Sequence, residues 1–167
     1  VSELVESWRY SLAGDGGDRQ PNSQATPIVI GGVMYLPAAD RIVALNPVSG
    51  EEIWRHIVAD GAPSRRGVAY WAGGEGIAPR IIFTAGRRLL ALDAETGRLA
   101  TGFGPSGEID MVIPYNSVPM VYGNIVIVGA NTPRGASGGI GNARAFDARH
   151  GDKIWEFCSI QIGRAHV

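Results

Sequence analysis

The 167-residue chain holds a single cysteine, Cys158, and a single lysine, Lys153. One cysteine excludes an internal disulfide and any thiolate metal site built by this chain alone. Long apolar runs are missing: those present, such as IVI at 28–30 and IVIV at 125–128, are far too short to span a bilayer. Charge of one sign is missing too. Fifteen basic against sixteen acidic residues leave a net charge of −1, so no global field draws the chain to nucleic acid or an anionic membrane. Arginine supplies fourteen of the fifteen basic residues, a bias that GC-rich coding accounts for. No stretch of about twelve residues keeps the i, i+3, i+4, i+7 apolar pattern without a glycine or proline inside it, which argues against a helical bundle. No signal peptide opens the sequence, and a start at Val1 is expected to have coding sequence upstream of it.

What is abundant is glycine, 24 residues, with 10 prolines beside it. That glycine share is roughly twice the usual one. Hydrophobic residues make up 45% of the chain, enough apolar surface to form a core rather than a disordered segment. Glycine and proline spread without a G-x-y period favour many short strands joined by tight turns.

Those turns repeat. ALNPVSGEEIW (44–54), ALDAETGRLAT (91–101) and AFDARHGDKIW (145–155) align with starts 47 and then 54 residues apart. Each has alanine first, a bulky apolar residue, then Asn46, Asp93 or Asp147, and glycine seventh (Gly50, Gly97, Gly151). The Asn or Asp can accept bonds from backbone two residues on, and the glycine takes the positive φ that closes the turn. Trp54 and Trp155 end two copies, and Thr101 holds that place in the middle one. Tryptophans there offer apolar area and an N–H donor for packing between neighbouring repeat units. Ahead of each turn lie paired apolar runs, PIVIGGVMYLP, RIIFTAGRRLLALD and PMVYGNIVIVGA, two of them split by Gly-Gly or Gly-Asn as hairpins require. Four short strands per period of about 40–50 residues is the content of a propeller blade. The expected fold is an all-β β-propeller, with about three blades present.

The repeats resemble the tryptophan-docking repeats of pyrroloquinoline-quinone (PQQ) dependent dehydrogenases, the eight-bladed quinoprotein propellers. The likeness runs in order from about Trp8 to Ile160 through QATPIVIGGVMYLP (24–37), SRRGVAYW (64–71), NSVPMVYGNIVIVGA (116–130) and NARAFDARHGDKIWEF (142–157). It implies residues 1–161 as the early part of such a ring, with blade motifs ending near 54, 101 and 155. It further implies PQQ as cofactor, a flat ortho-quinone with three carboxylates that guanidinium forks suit. Arg66, directly before GVAYW, matches the family's carboxylate-binding arginine, the alternative being a loop arginine in a structural ion pair. Arg65 is expected to face the surface. Gln24, Asn116, Ser117 and Asn131 match further polar positions near the cofactor.

The departures from the family pattern are informative. Where the alcohol-oxidising branch has two adjacent cysteines, this sequence reads Asp60-Gly61-Ala62-Pro63. Where that branch supplies a calcium-binding glutamate, the segment is NTPRGASGGIGN, with Arg134 and no carboxylate. The resemblance therefore leans towards the glucose- and polyol-dehydrogenase-like branch, with Ca²⁺ ligands and the catalytic aspartate expected outside this chain. Asp93 and Asp147 are assigned to turns, Asp110 to a loop, and His56, His150 and His166 to the surface. The family implies a sugar, polyol or other alcohol as substrate, ubiquinone or a cytochrome c as electron acceptor, and the periplasm as location. The chain alone is expected to be inactive, since open blades expose strand edges. The rival reading is a non-catalytic propeller scaffold or binding module of the bacterial envelope, and a sensor ectodomain is a third. The last six residues, IGRAHV (162–167), match one frame of a common sequencing adapter, and the native sequence is expected to stop near Gln161.

Overall fold

A computed structural model describes residues 3–14, 24–131 and 142–158. The expected tail at 162–167, Arg134 and His166 lie outside them. The described residues form twelve strands in three four-stranded antiparallel sheets. The first sheet orders β1 (Ile28–Ile30), β2 (Val33–Pro37), β3 (Arg41–Leu45) and β4 (Glu52–Ile57). The second orders β5 (Ala69–Trp71), β6 (Arg80–Ala85), β7 (Arg88–Asp93) and β8 (Glu108–Asp110). The third runs through β9 (Met120–Tyr122), β10 (Ile125–Val128), β11 (Ala143–Asp147) and β12 (Lys153–Phe157). Each sheet is a meander, one blade.

The continuous apolar runs of the middle blade follow from its position. Ile81, Phe83, Leu90 and Leu92 pack with Tyr35, Ile42 and Trp54 of the first blade. The alternate residues Ile82, Leu89 and Ala91 pack with Val126, Val128 and Phe146 of the third. Both faces are buried, so period-two alternation of apolar and polar residues disappears. The third blade shows the contrast: Met120, Tyr122, Trp155 and Phe157 on its far face are exposed. Trp155, expected to be buried between blades, has no neighbouring blade over it among the described residues.

The repeated turns close as the sequence implies. Asn46 Oδ1 accepts from the amides of Val48 and Ser49, and Asp93 Oδ1 from Glu95 and Thr96. Asp147 Oδ1 accepts from Arg149 and His150. Gly50, Gly97 and Gly151 sit at φ 73°, 68° and 82°. A second constraint fixes them as glycine: a Cβ on Gly97 would stand 2.5 Å from the Trp54 ring, and one on Gly50 2.5 Å from the Trp8 ring. Trp54 Nε1 donates to the Ala94 carbonyl and Trp8 Nε1 to the Pro47 carbonyl, both at 3.1 Å. The tryptophan of one unit thus docks on the turn of the next. Trp8 plays this part ahead of the first recognised repeat, a role the motif alignment did not show.

The second blade breaks the rule. Its outer edge is interrupted: Leu99 bridges Leu92, the chain makes an excursion through residues 100–107, and only then does β8 pair with β7. Thr101 falls inside that excursion, away from a docking position. Three other residues cover the following turn. Phe103 and Ile109 lie over Gly151, and Arg80 Nη1 donates to the carbonyls of Ala148 and Arg149 at 2.7 and 2.6 Å. The Ala148 carbonyl occupies the motif position that Pro47 and Ala94 hold in the other two turns. Burial pushes the Arg80 guanidinium below its ordinary value, with Asp147 and Asp93 opposing.

Asp110 ends β8 rather than lying in a loop, where its carboxylate pairs with Arg87. His56, expected at the surface, is half-buried, and burial lowers its pKa against a backbone hydrogen bond with Gly97. His150 is exposed.

Candidate functional site

The first strands of the three blades meet. Thr26, just before β1, forms a parallel bridge with Gly67, just before β5, and its amide donates to the Arg66 carbonyl at 3.1 Å. β5 in turn contacts β9. Gly67 is the tight point: at φ 145° its Cβ position lies 3.0 Å from Val118 Cγ2 and 3.1 Å from the Thr26 carbonyl. Gly67→Ala is expected to lower stability by about 1–3 kcal/mol, through backbone strain and overpacking. A denaturation midpoint equal to that of the parent would show that the three segments part freely.

Where the inner strands begin, a cleft of about 410 Å³ opens, within the usual range for a small-molecule site. Three of the residues singled out in the sequence line it, one from each blade: Gln24, Arg66 and Asn116. All three are exposed. Among the described residues no carboxylate pairs with Arg66, so the structural ion pair considered for it is not found there. Arg65 is exposed as expected and lines the same cleft. The remaining described wall comes from residues 62–64, Gly86 and Tyr115, and among the described residues no Asp or Glu lines the cleft. The Arg66 guanidinium, two side-chain amides and one aromatic ring among the described lining suit a flat ligand bearing carboxylates.

Ser117 and Asn131 sit beside the cleft rather than in its lining. Ser117 is half-buried, and its carbonyl accepts from Thr84 Oγ1 at 3.2 Å. Asn131 follows the second strand of its blade, β10, not the inner strand. Because β10 runs antiparallel to β9, it returns to the level where β9 begins. There the Asn131 amide donates to the Pro114 carbonyl at 2.8 Å, next to Tyr115. Gly86 and Tyr115 carried no sequence signal. One is a hairpin turn and the other lies in a connection, and a 3.1 Å bond from the Tyr115 amide to the Gly86 carbonyl joins them. Among the described residues no group of three or more His, Cys, Asp or Glu side chains could hold a metal ion. No helix long and apolar enough to cross a membrane occurs among them.

Twelve strands in three meandering blades, with a cleft where the inner strands start, define part of a β-propeller. The sequence matches the family described as PQQ: Glucose/ethanol/alcohol dehydrogenase, beta-propeller domain, over residues 1–166, and the chain belongs to that family. It is 30% identical over 176 residues to the quinohemoprotein alcohol dehydrogenase of Comamonas testosteroni, covering 96% of this chain and 22% of that protein. It is 28% identical over 160 residues to the glycerol dehydrogenase large subunit of Gluconobacter oxydans (strain 621H), covering 80% and 21%. The crystal structure of the Comamonas enzyme superposes with a TM-score of 0.67 at 26% identity, over 83% of this chain and 21% of that one. The chain thus spans about a fifth of the length of these relatives.

Proposed function

We propose that this chain forms the early blades of a PQQ-dependent dehydrogenase that oxidises the CH–OH group of a sugar, polyol or other alcohol. The observation that carries the reading is the convergence of Gln24, Arg66 and Asn116, from three blades, on one cleft. In it, Arg66 supplies a charged fork for a PQQ carboxylate, Gln24 and Asn116 supply side-chain amides at the rim, and Tyr115 a flat wall. Ser117 and Asn131 complete the polar ring from the third blade, beside the cleft edge. When bound, PQQ accepts the hydride equivalent of the alcohol. This chain's part is to bind and orient the group; the aspartate base and the Ca²⁺ ligands belong to later blades of an eight-bladed ring. Residues 1–161 are assigned to that ring.

The glycerol dehydrogenase relative supports a polyol or sugar substrate, as does Asp60-Gly61-Ala62-Pro63 in place of paired cysteines. The family's periplasmic setting, with ubiquinone or a cytochrome c as acceptor, completes the proposal. The test is titration of the intact protein with PQQ and Ca²⁺. No change in quinone absorbance and no dye reduction with any alcohol or sugar would reject the enzyme. Arg66→Ala is expected to weaken PQQ by the 1.5–3 kcal/mol of a charge-assisted hydrogen bond, about 10- to 150-fold. Unchanged PQQ affinity would remove Arg66 from the site.

A further inference from the structure

Residues 58–68 cross from β4 to β5 and carry Arg65 and Arg66 over the cleft, yet they contain no strand. Such a connection places a guanidinium accurately only if its backbone is tied down. Three ties are main-chain: Val58 N–H to the Asp40 carbonyl at 2.8 Å, Ser64 N–H to the Thr84 carbonyl at 2.7 Å, and Thr26 N–H to the Arg66 carbonyl. Between Val58 and Ser64 the chain turns sharply, with Asp60 at φ 53° and Gly61 at φ 128°. Among the described residues, one side chain holds that turn. Arg88 Nη2 donates to the Ala59 carbonyl and, at 3.0 Å, to the Asp60 carbonyl. Its other arm, Nη1, donates to Glu108 Oε2 at 3.0 Å. Arg88 and Glu108 lie on the paired strands β7 and β8, and neither lines the cleft.

We infer that Arg88, oriented by Glu108, is a positioning residue that sets the 59–66 segment and through it the Arg66 guanidinium. The inference rests on the PQQ reading of the cleft for its ligand, though not for its geometry. Planarity is what makes arginine suitable: one fork spans a carboxylate on one side and two adjacent carbonyls on the other, which a lysine ammonium cannot reproduce.

The experiment uses the intact protein with PQQ as probe, in the variants Arg88→Ala, Arg88→Lys, Arg66→Ala and the double Arg66→Ala/Arg88→Ala. Arg88→Ala is expected to weaken PQQ about tenfold and Arg88→Lys by less. The double variant should bind no more weakly than Arg66→Ala alone, because Arg88 acts through Arg66. Hydrogen exchange of the amides between 59 and 66 should speed up in Arg88→Ala, while those of β6 keep their protection. If Arg66→Ala weakens PQQ and Arg88→Ala does not, the positioning role is overturned and the cofactor reading stands. Additive losses in the double variant overturn it as well. If Arg66→Ala leaves PQQ binding unchanged, the cofactor reading fails. Exchange then decides: faster exchange in 59–66 upholds Arg88 as the holder of the segment, and unchanged exchange overturns it.

Discussion

Trp54→Ala is expected to destabilise the protein by about 3–5 kcal/mol, the range for deleting a buried tryptophan from a core. The ring is 9% exposed and lies between two blades, against Gly97 on one side and tilted against Tyr35 at 5.8 Å between ring centroids. Removing it leaves a void that Gly97 cannot fill and that the paired strands around it cannot collapse into. The hydrogen bond is the smaller part. Trp54 Nε1 and Tyr35 Oη both donate to the Ala94 carbonyl, at 3.1 and 3.2 Å, so loss of one donor leaves that acceptor satisfied. Trp54→Phe should therefore cost much less than Trp54→Ala, about 1–2 kcal/mol. Urea denaturation of the intact protein checks both, and a Trp54→Ala loss under about 1 kcal/mol would mean the blades are held together elsewhere.

Much of this architecture was legible because each blade repeats one local solution: a side-chain acceptor, a positive-φ glycine and an apolar strand on either side. Asn46, Asp93, Asp147 and their glycines announce themselves at fixed spacing, and local chemistry forces them. The cleft was legible in part. Arg66, Gln24 and Asn116 were named through their segments, and each precedes an inner strand, so all three arrive at the same end of the fold. Gly86, Tyr115 and Arg88 were not. Gly86 reaches the cleft and Arg88 the segment above it through the β6–β7 hairpin, and Tyr115 through the connection from β8 to β9, which no spacing along the chain encodes. Ser117 and Asn131 show the opposite case: right segment, but carbonyl and amide engaged with neighbours while the cleft is lined by others. Trp155 resembles Trp54 in sequence yet is exposed, because docking needs a turn over the ring and none of the described residues supplies it.

Arg80→Met is the second large effect, about 2–4 kcal/mol, and it tests the substitute that the second blade uses where a docking tryptophan is missing. Arg80 is 4% exposed, lies 5.4 Å from the centroid of Trp71 and 5.7 Å from that of Phe103, and is bound to the Ala148 and Arg149 carbonyls. Hydrogen bonds from a charged group are worth about 1.5–3 kcal/mol each, and the two ring contacts add about 0.5–2 kcal/mol. Against this stands the desolvation of the buried cation, which methionine removes, so the net loss falls below the sum. Methionine keeps the apolar stem but leaves both carbonyls without that donor. The effect should be local. The Gly104 amide donates to the His150 carbonyl at 2.8 Å, a bond between the second and third blades. Its hydrogen exchange should accelerate in Arg80→Met, whereas the Gly97 amide, bonded to the Asp93 carbonyl at 2.9 Å within its own turn, should be little changed. Trp54→Ala should reverse that order, exposing the Gly97 turn and sparing Gly104. Equal acceleration at both sites in Arg80→Met would mean that the arginine supports the whole fold and does not stand in for one docking tryptophan.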